Sequence, residues 1–287
     1  MAFAHNSSSL YSLKSALSSY VRILVVVLLS IITLFPIYAV LVNSFKPNGE
    51  IFATPFALPA APTLAAYIGI LTKNADFWIF LTNSIFVALG TIGINLLVSF
   101  MAALALSRLQ FKGRTILYNY FIMGMLFPLS VAILPLYLQL RSLNLIGSLN
   151  GVVLSQVAFT IPMSVFILTG FFKEVPLELQ EATQVDGGGI WTFGFKVLLP
   201  ISGPVLSTVT ILTFIQSWNQ FLLPLLVLDN RKTFTIPLGV MQYQGQFTSG
   251  WNFIMAFITI SMIPMVLFYL FLQKYIVSGL TAGAVKG

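Results

Sequence analysis

One polar stretch organises the rest of this chain: Val175–Pro200, VPLELQEATQVDGGGIWTFGFKVLLP. Four of the seven carboxylates of the chain lie in it or directly before it: Glu174, Glu178, Glu181 and Asp186. Long apolar runs flank the stretch on both sides. The pattern predicts a water-exposed segment, residues 174–200, between two helices that cross a membrane.

Within this segment the residues predict a helix, a break and a second helix. Pro176 can open a helix, because the first N–H groups of a helix have no partner in any case. The carboxylate of Glu178 then lies in the first turn, where the helix dipole favours an anion. Three glycines follow Asp186, and each costs about 1 kcal/mol inside a helix, so a break is expected there. A docking surface for a soluble partner fits this pattern, and a solvated loop helix without a partner is the simpler interpretation.

Composition determines the class of protein. Of 287 residues, 58% are hydrophobic and 7% are charged, whereas a soluble domain carries about 25% charged residues. The chain is therefore predicted to be an all-α integral membrane protein, with residues 1–287 forming one transmembrane domain. Cysteine is absent, which excludes disulfides and thiolate chemistry. The one histidine, His5, lies in a serine-rich segment, so neither a catalytic centre nor a metal site is expected.

Six apolar runs are long enough to cross the hydrocarbon core as helices. They cover approximately residues 23–42, 77–106, 117–140, 152–172, 205–228 and 253–271. A polar segment, residues 1–20, precedes the first run, and a short tail, residues 274–287, follows the last. The first run is long for a signal peptide and no A-x-A-like site closes it, so it is interpreted as an uncleaved span.

The basic residues indicate the orientation of the chain. With six spans and an inner N-terminus, nine Lys and Arg residues lie on the inner side and five on the outer side. Short loops rich in these residues stay in the cytoplasm, so both termini and the segment 174–200 are predicted to be cytoplasmic. The net charge of +7 is interpreted as orientation charge, and no nucleic-acid partner is expected.

The proposed spans contain no Asp or Glu, which argues against proton coupling through this chain. Uncharged polar and amphipathic residues do occur within them. As a set they suit a pathway for an uncharged, polyhydroxylated solute, and the candidates are Asn95, Gln156, Gln216, Trp218 and Asn219. Hydrogen bonds between helices explain any one of them more simply.

The chain has no phosphate-binding loop of the form G-x-x-x-x-G-K-[ST]. Gly189 through Lys196 is the nearest approach, and its spacing is wrong. If ATP drives this protein, another chain must bind it. The sequence therefore predicts a transport subunit without an ATPase site of its own.

The central stretch resembles the EAA motif of permease subunits of bacterial ABC importers. That pattern is Glu-Ala-Ala, three residues, Gly, nine residues and then Ile-x-Leu-Pro. The chain has Glu181, Ala182 and Gly187 in register, followed after nine residues by Val197-Leu198-Leu199-Pro200. It departs from the pattern at Thr183 and Val197, and Gly188 stands where many members carry alanine.

Other segments are similar to the carbohydrate-importing branch, and in particular to the second permease of the maltose type. They are Asn43-Ser44-Phe45-Lys46, Asn83-Ser84, Trp218-Asn219-Gln220-Phe221 and the tail Gly279–Gly287. The resemblance runs from the first helix to the last residue. It implies a type I ABC-importer permease in the cytoplasmic (inner) membrane of a bacterium or archaeon, surrounded by membrane lipid.

The resemblance also implies partners and site residues. A coupling helix would be seated in a cleft of an ATP-binding subunit, with contributions from Glu181, Ala182, Thr183, Asp186, Gly187 and Pro200. A tail with Gly283, Lys286 and Gly287 would reach the two ATP-binding subunits, which hold ATP and Mg²⁺. An outer loop with Gln242, Tyr243, Gln244 and Gly245 would contact an extracytoplasmic sugar-binding protein. A second permease subunit would complete a heterodimer and would hold much of the sugar site.

An alternative of another class is a sodium-coupled secondary carrier that works without an ATPase. The docking-type segment and the absence of carboxylates from the spans argue against it. The two hypotheses differ in a simple respect: the purified chain alone moves solute down a sodium gradient only if it is a carrier.

Overall fold

The computed structural model describes residues 6–73, 76–246 and 250–284, and these ranges are built of helices and their connections. In chain order the α-helices are α1 (Asn6–Ser44), α2 (Asn48–Ala53), α3 (Ala65–Ile68), α4 (Asp76–Arg108), α5 (Arg114–Met125), α6 (Leu129–Ser142), α7 (Leu149–Glu174), α8 (Glu178–Val185), α9 (Ile190–Thr192), α10 (Leu199–Ile201), α11 (Gly203–Trp218), α12 (Leu222–Val227), α13 (Ile236–Gln246) and α14 (Trp251–Ala284). Gly69–Lys73 and Phe193–Leu198 are π-helical, and Arg231–Thr233 is a 3-10 turn. The prediction of an all-α fold is confirmed.

Four continuous helices are long and apolar enough to cross a membrane: Tyr20–Ser44, Asp76–Arg108, Leu149–Glu174 and Trp251–Phe271. Two bent pairs meet the same test. Arg114–Met125 and Leu129–Ser142 meet at 105°, and Ile190–Ile201 and Gly203–Trp218 meet at 78°. With each pair counted as one span the described residues hold six, so the prediction of about six spans is confirmed.

The predicted third and fifth spans are interrupted in the structure, whereas the sequence suggested continuous runs; the 78° bend lies before the predicted start of the fifth span at residue 205. The third breaks because Pro128 is extended, with φ −72° and ψ 131°, and α6 starts only after it. A proline disfavours helical backbone in the residue before it, which ends α5. The fifth ends at Trp218 and resumes at Leu222. The side-chain amide of Asn219 donates to the carbonyl of Ile215 at 2.9 Å, and such local bonds compete with helix continuation.

The structure divides into two compact units, and the larger one comprises the described residues of Ile70–Gly245 and Ser261–Gly287. Its centre is the long pairing of α4 with α7, against which α11 packs. Two apolar clusters lie along these helices. The first is Phe100, Ala103, Leu104, Leu168, Phe172, Val175, Phe193, Leu198, Val205 and Val209. The second is Val87, Leu140, Val152, Val153, Val157, Val227, Leu228 and Leu238.

The smaller unit comprises the described residues of Met1–Gly69 and Gln246–Ile260. The side chain of Asn43 donates to the carbonyls of Ala39 and Pro55, and the hydroxyls of Ser44 and Tyr67 lie 2.5 Å apart. Lys46 is fully buried. The segment Asn43–Lys46 therefore fastens the proline-rich loop to the end of α1, and α1 itself begins well before the predicted start of the first span.

Candidate functional site

The predicted polar segment contains a short exposed helix, α8. It begins at Glu178, and both Glu178 and Glu181 lie in its first turn, where the helix dipole favours carboxylates. Glu181 and Ala182 are exposed, and Val185 is 88% exposed. Thr183 is the buried side chain of the helix. α8 therefore rests on Thr183 and presents a mixed acidic and apolar surface.

The C-terminus of α8 is closed by a Schellman motif. The N–H of Gly188 donates to the carbonyl of Thr183 at 2.8 Å, and the N–H of Gly187 donates to Gln184 at 3.0 Å. Gly187 has φ +79°, the left-handed conformation in which this motif favours glycine. Asp186 is the exposed C-cap residue. The glycine of the EAA pattern therefore ends the exposed helix.

The chain then turns back through a tightly packed corner. A Cβ on Gly188 would lie 2.7 Å from Cγ2 of Thr183 and 3.0 Å from Cγ2 of Thr192, whereas Gly189 has open space. Beyond the corner, Trp191 stacks on Phe195 with ring centroids 6.0 Å apart. Pro200 is exposed in α10, just before α11. The predicted residues of this segment thus form one continuous local structure.

Arg108 lies at the base of this segment, and its role was not predicted. The sequence suggested only that it marks the inner side of the membrane. It ends α4 and is 8% exposed, and its guanidinium donates to the carbonyls of Phe172 and Val175. A buried arginine is costly unless its charge is matched. The sequence feature that could have drawn attention to Arg108 is a basic residue directly after an apolar span.

The predicted pathway residues Asn95 and Gln156 lie in a buried polar layer between the two apolar clusters. The side-chain amide of Asn95 donates to the hydroxyls of Ser164 at 2.8 Å and Thr213 at 2.9 Å, which join α4 to α7 and α11. Gln156 accepts hydrogen bonds from two other hydroxyls at 3.1 and 2.5 Å, from Thr91 and Ser217. The Asn95 amide and the Gln156 amide oxygen are therefore engaged between helices of this chain, whereas Nε2 of Gln156 is buried without a hydrogen-bond partner in the described part of the chain.

The other three pathway residues lie around the end of α11 and differ in exposure. Gln216 and Asn219 are exposed. Trp218 is buried and stacks on Phe214, with ring centroids 5.5 Å apart, and Phe214 stacks in turn on Phe268. Two exposed polar side chains therefore lie at the same end of α11 as an aromatic stack, while Asn95 and Gln156 are held within the helix packing.

The helix that enters the predicted outer loop is fastened to the start of α4. Arg231 forms an ion pair with Asp76. The amide of Asn83 donates to the carbonyls of Lys232 and Phe234 at 2.9 Å, and the hydroxyl of Ser84 accepts from the N–H of Ile236 at 2.8 Å. The pair Asn83-Ser84 therefore fixes the first residue of α13.

The remaining predicted contact residues are only partly described. Gln242 lies on α13 and is half-buried. Tyr243, Gln244 and Gly245 continue the backbone of that helix, and their side chains lie outside the described residues. Gly283 belongs to the backbone of α14, whereas Lys286 and Gly287 lie outside the described residues. Among the described residues no three His, Asp or Glu side chains are grouped to hold a metal ion.

Comparison with known proteins gives concordant matches. The family model for the binding-protein-dependent transport system inner membrane component matches residues 94–282. The trehalose/maltose transport system permease protein MalG of Thermococcus litoralis is 35% identical over 272 residues, 93% of this chain and 97% of its own. The sulfoquinovosyl glycerol transport system permease protein SmoH of Agrobacterium fabrum is 35% identical over 255 residues, 88% of this chain and 89% of its own.

A solved structure shares the fold. A chain from the crystal structure of a bacterial ABC transporter involved in the import of the acidic polysaccharide alginate superposes with a TM-score of 0.78 at 23% identity, covering 96% of this chain and 100% of that chain. The family match covers more than half of the present chain and includes the whole segment 174–200. This protein therefore belongs to the family of binding-protein-dependent transport system inner membrane components, the multi-pass permease subunits of ABC importers, whose ATPase lies in partner subunits.

Proposed function

We propose that this chain is one half of a permease heterodimer that imports a sugar or oligosaccharide. Relatives of 35% and 32% identity are named for transport of trehalose or maltose and of diacetylchitobiose, so a glycan or sugar is the substrate class that these names support. Two ATP-binding subunits would hold ATP and Mg²⁺, and an extracytoplasmic binding protein would deliver the solute. Both termini and the segment 174–200 would face the cytoplasm.

The observation that carries the coupling role is the geometry of α8. Its exposed face holds Glu181 and Ala182, and its C-terminus is fixed by the Schellman motif at Gly187. An exposed helix with a rigid end can transmit the displacement of a bound partner, because the motif prevents the last turn from fraying. Small Ala182 permits close approach of the partner, and Glu181 can pair with a basic residue. Asp186 lies directly before the glycine corner, and Pro200 lies after it at the end of the segment.

Alternating access follows if nucleotide and solute bind the two states of the complex with different affinity. The ATP-binding subunits would close on each other when nucleotide binds and displace α8, and the spans on either side of the segment, α7 and α11, would tilt around the solute path. The tail with Gly283, Lys286 and Gly287 would contact the same subunits. Gln242, Tyr243, Gln244 and Gly245 would meet the binding protein on the opposite side of the membrane.

The solute pathway is proposed to use the exposed polar groups at the end of α11. Gln216 and Asn219 are exposed there, and amide side chains suit hydroxyl-rich ligands because they both donate and accept hydrogen bonds. Trp218 would support them through its stack with Phe214. Asn95 and Gln156 would shape the pathway from within the polar layer by fixing the spacing of α4, α7 and α11.

Reconstitution tests the proposal. The chain is co-expressed with candidate permease, ATPase and binding-protein subunits, which are sought first among the neighbouring genes, and the complex is placed in proteoliposomes with ATP inside. Uptake of the sugar that the binding protein retains, dependent on ATP and on the binding protein, is the expected result. Uptake by the purified chain alone on a sodium gradient would overturn the proposal in favour of a secondary carrier, an alternative that family membership does not support.

A further inference from the structure

Arg108 contacts the polar segment at two places, at its start and just after the glycine corner. From the last position of α4 it donates hydrogen bonds to the carbonyls of Phe172 and Val175, the second at 2.6 Å, where the chain leaves α7 and enters the segment. Its Cζ also lies 5.5 Å from the ring centroid of Phe193, where the chain leaves the glycine corner. One guanidinium at the end of α4 therefore contacts the end of α7, the start of the polar segment and the turn after the glycine corner.

The sequence explains why a carbonyl is free at this point. In an uninterrupted α-helix the carbonyl of Phe172 would accept from the N–H of residue 176, but residue 176 is Pro176, which has no N–H. The last carbonyls of a helix lack partners and carry partial negative charge. Arg108 supplies both the missing donor and the opposite charge.

Arg108 is matched by carbonyls and an aromatic ring rather than by a carboxylate. Within the described residues the ion pair found is Arg231 with Asp76, and Arg108 is packed in the first apolar cluster beside Phe193. Both hydrogen bonds come from Nη2, whereas Nε is buried without a hydrogen-bond partner among the described residues. A guanidinium suits this place because it is flat and also packs on aromatic faces. Its bonds must move with the carbonyls they hold, since a buried, unpaired guanidinium is costly.

We propose that Arg108 is a positioning residue that locks the polar segment to the α4–α7 pair, so that a displacement of α8 tilts these spans instead of bending the segment at its base. The inference rests on the proposed coupling of α8 to an ATPase. It adds a second anchor to the glycine corner: the corner keeps α8 rigid, and Arg108 joins α8 to the membrane helices. Without Arg108, α8 would still dock but would move independently of α4.

The chain offers a matched control in Arg114. Its guanidinium also donates to carbonyls at the inner end of α4, at 2.6 Å to Leu106 and 3.3 Å to Ser107. These carbonyls belong to α4 itself, so Arg114 caps a helix without contacting either end of the polar segment. Arg114→Gln therefore removes the same chemistry at a neighbouring position and leaves the proposed lock in place.

The first experiment measures ATP hydrolysis and solute uptake in proteoliposomes that hold the full complex. Arg108→Gln is expected to lower uptake per ATP about tenfold, within the usual range of coupling between sites, while hydrolysis continues. Arg108→Lys, which keeps the charge but is shorter and lacks the flat group that lies over Phe193, is expected to fall between Arg108→Gln and the native chain. Arg114→Gln is expected to couple as the native chain does. Equal coupling in all four proteins would overturn the proposal.

The second experiment measures whether α8 and α4 move together and does not depend on transport. The sequence contains no cysteine, so spin labels can be placed at Leu177→Cys beside α8 and Met101→Cys on α4, where the native side chains are 60% and 41% exposed. In otherwise native complex the label distance is expected to stay constant when nucleotide binds, because the two elements move together. With Arg108→Gln or Arg108→Lys the distance is expected to change or broaden, and an unchanged distance in both would contradict the lock.

Different results would contradict the proposed function and the role of Arg108. If the native complex shows no solute-dependent hydrolysis, the proposed function is wrong. If the native complex is coupled and Arg108→Gln is coupled equally well, the function stands and the role of Arg108 is wrong.

Discussion

The carbonyl of Thr183 accepts a hydrogen bond from the N–H of Gly188 at 2.8 Å, and its Cγ2 occupies the space into which a Cβ of Gly188 would project, at 2.7 Å. Thr183 is one of the two departures of this chain from the EAA pattern, with threonine for alanine, and Gly188 stands where many members carry alanine. The extra atoms of Thr183 and the missing methyl of Gly188 are complementary. The two residues therefore form one packing solution for the corner.

Gly188→Ala should consequently destabilise the corner unless Thr183 is shortened as well. Overpacking in a well-packed site costs about 1–3 kcal/mol, and we expect the single substitution to lower both thermal stability of the purified complex and coupled uptake. The double variant Thr183→Ala/Gly188→Ala should recover part of the loss, because the Thr183 carbonyl and Cγ2 of Thr192 would still lie 3.0 Å from the new Cβ. Thermal melts of the four proteins form a double-mutant cycle, and an additive cycle would show that the two side chains do not compete for space.

Gly187 is expected to be sensitive for a different reason, its backbone conformation. At φ +79° an alanine meets a left-handed penalty of about 1–2 kcal/mol although no atom lies within 4 Å of its Cβ. Gly187→Ala should loosen the end of α8 and lower uptake per ATP several-fold, with hydrolysis retained and the protein still in the membrane. A bulkier side chain should uncouple more strongly.

Gly189→Ala is the matched control for that substitution. Gly189 also has open space around its Cβ, but its φ is −91°, a value that any residue adopts. The Gly189→Ala variant should therefore transport solute at the native rate per ATP. Normal coupled uptake by both alanine variants would count against a mechanical role for the end of α8.

Gly187, Gly188 and Gly189 are identical in the sequence but have different structural roles. Three consecutive glycines predict a break, and the EAA spacing singles out Gly187. The residue types alone do not show that Gly187 is a left-handed cap, that Gly188 is crowded and that Gly189 has open space. Likewise the apolar runs predict the spans, whereas the 105° bend at Pro128 depends on how the two halves pack. Arg108 was visible as a charge beside a span, but its bonds to residues 172 and 175 join positions more than sixty apart and so needed the fold.

Asn83, near the start of α4, provides a further prediction. Its amide holds the carbonyls of Lys232 and Phe234, which precede α13, the helix proposed to lead to the binding protein. Asn83→Ala removes both bonds, and hydrogen bonds between elements of membrane proteins contribute about 0.6 kcal/mol on average. We expect a higher concentration of binding protein to be required for half-maximal ATP hydrolysis, with an unchanged rate in its absence.

Thr82→Ala serves as the control for this measurement. The Thr82 hydroxyl bonds only carbonyls of its own helix, those of Trp78 and Ile79 among the described residues. The concentration for half-maximal stimulation should therefore stay at the native value. A shift of equal size in both variants would mean that the effect arises in α4 rather than from the turn that Asn83 holds.

The polar layer and the end of α11 should respond to substitution in opposite ways. Asn95→Leu removes the amide that bonds Ser164 and Thr213 across three helices, so it should lower the unfolding free energy by about 1–2 kcal/mol, the upper part of the range for such bonds in membranes. Gln216→Ala truncates an exposed side chain and should leave the melting temperature unchanged while raising the solute concentration needed for half-maximal uptake. Melting curves and uptake titrations on the same preparations separate the two effects. If Gln216→Ala altered only stability and Asn95→Leu only the uptake titration, the pathway would have to be reassigned to the buried layer.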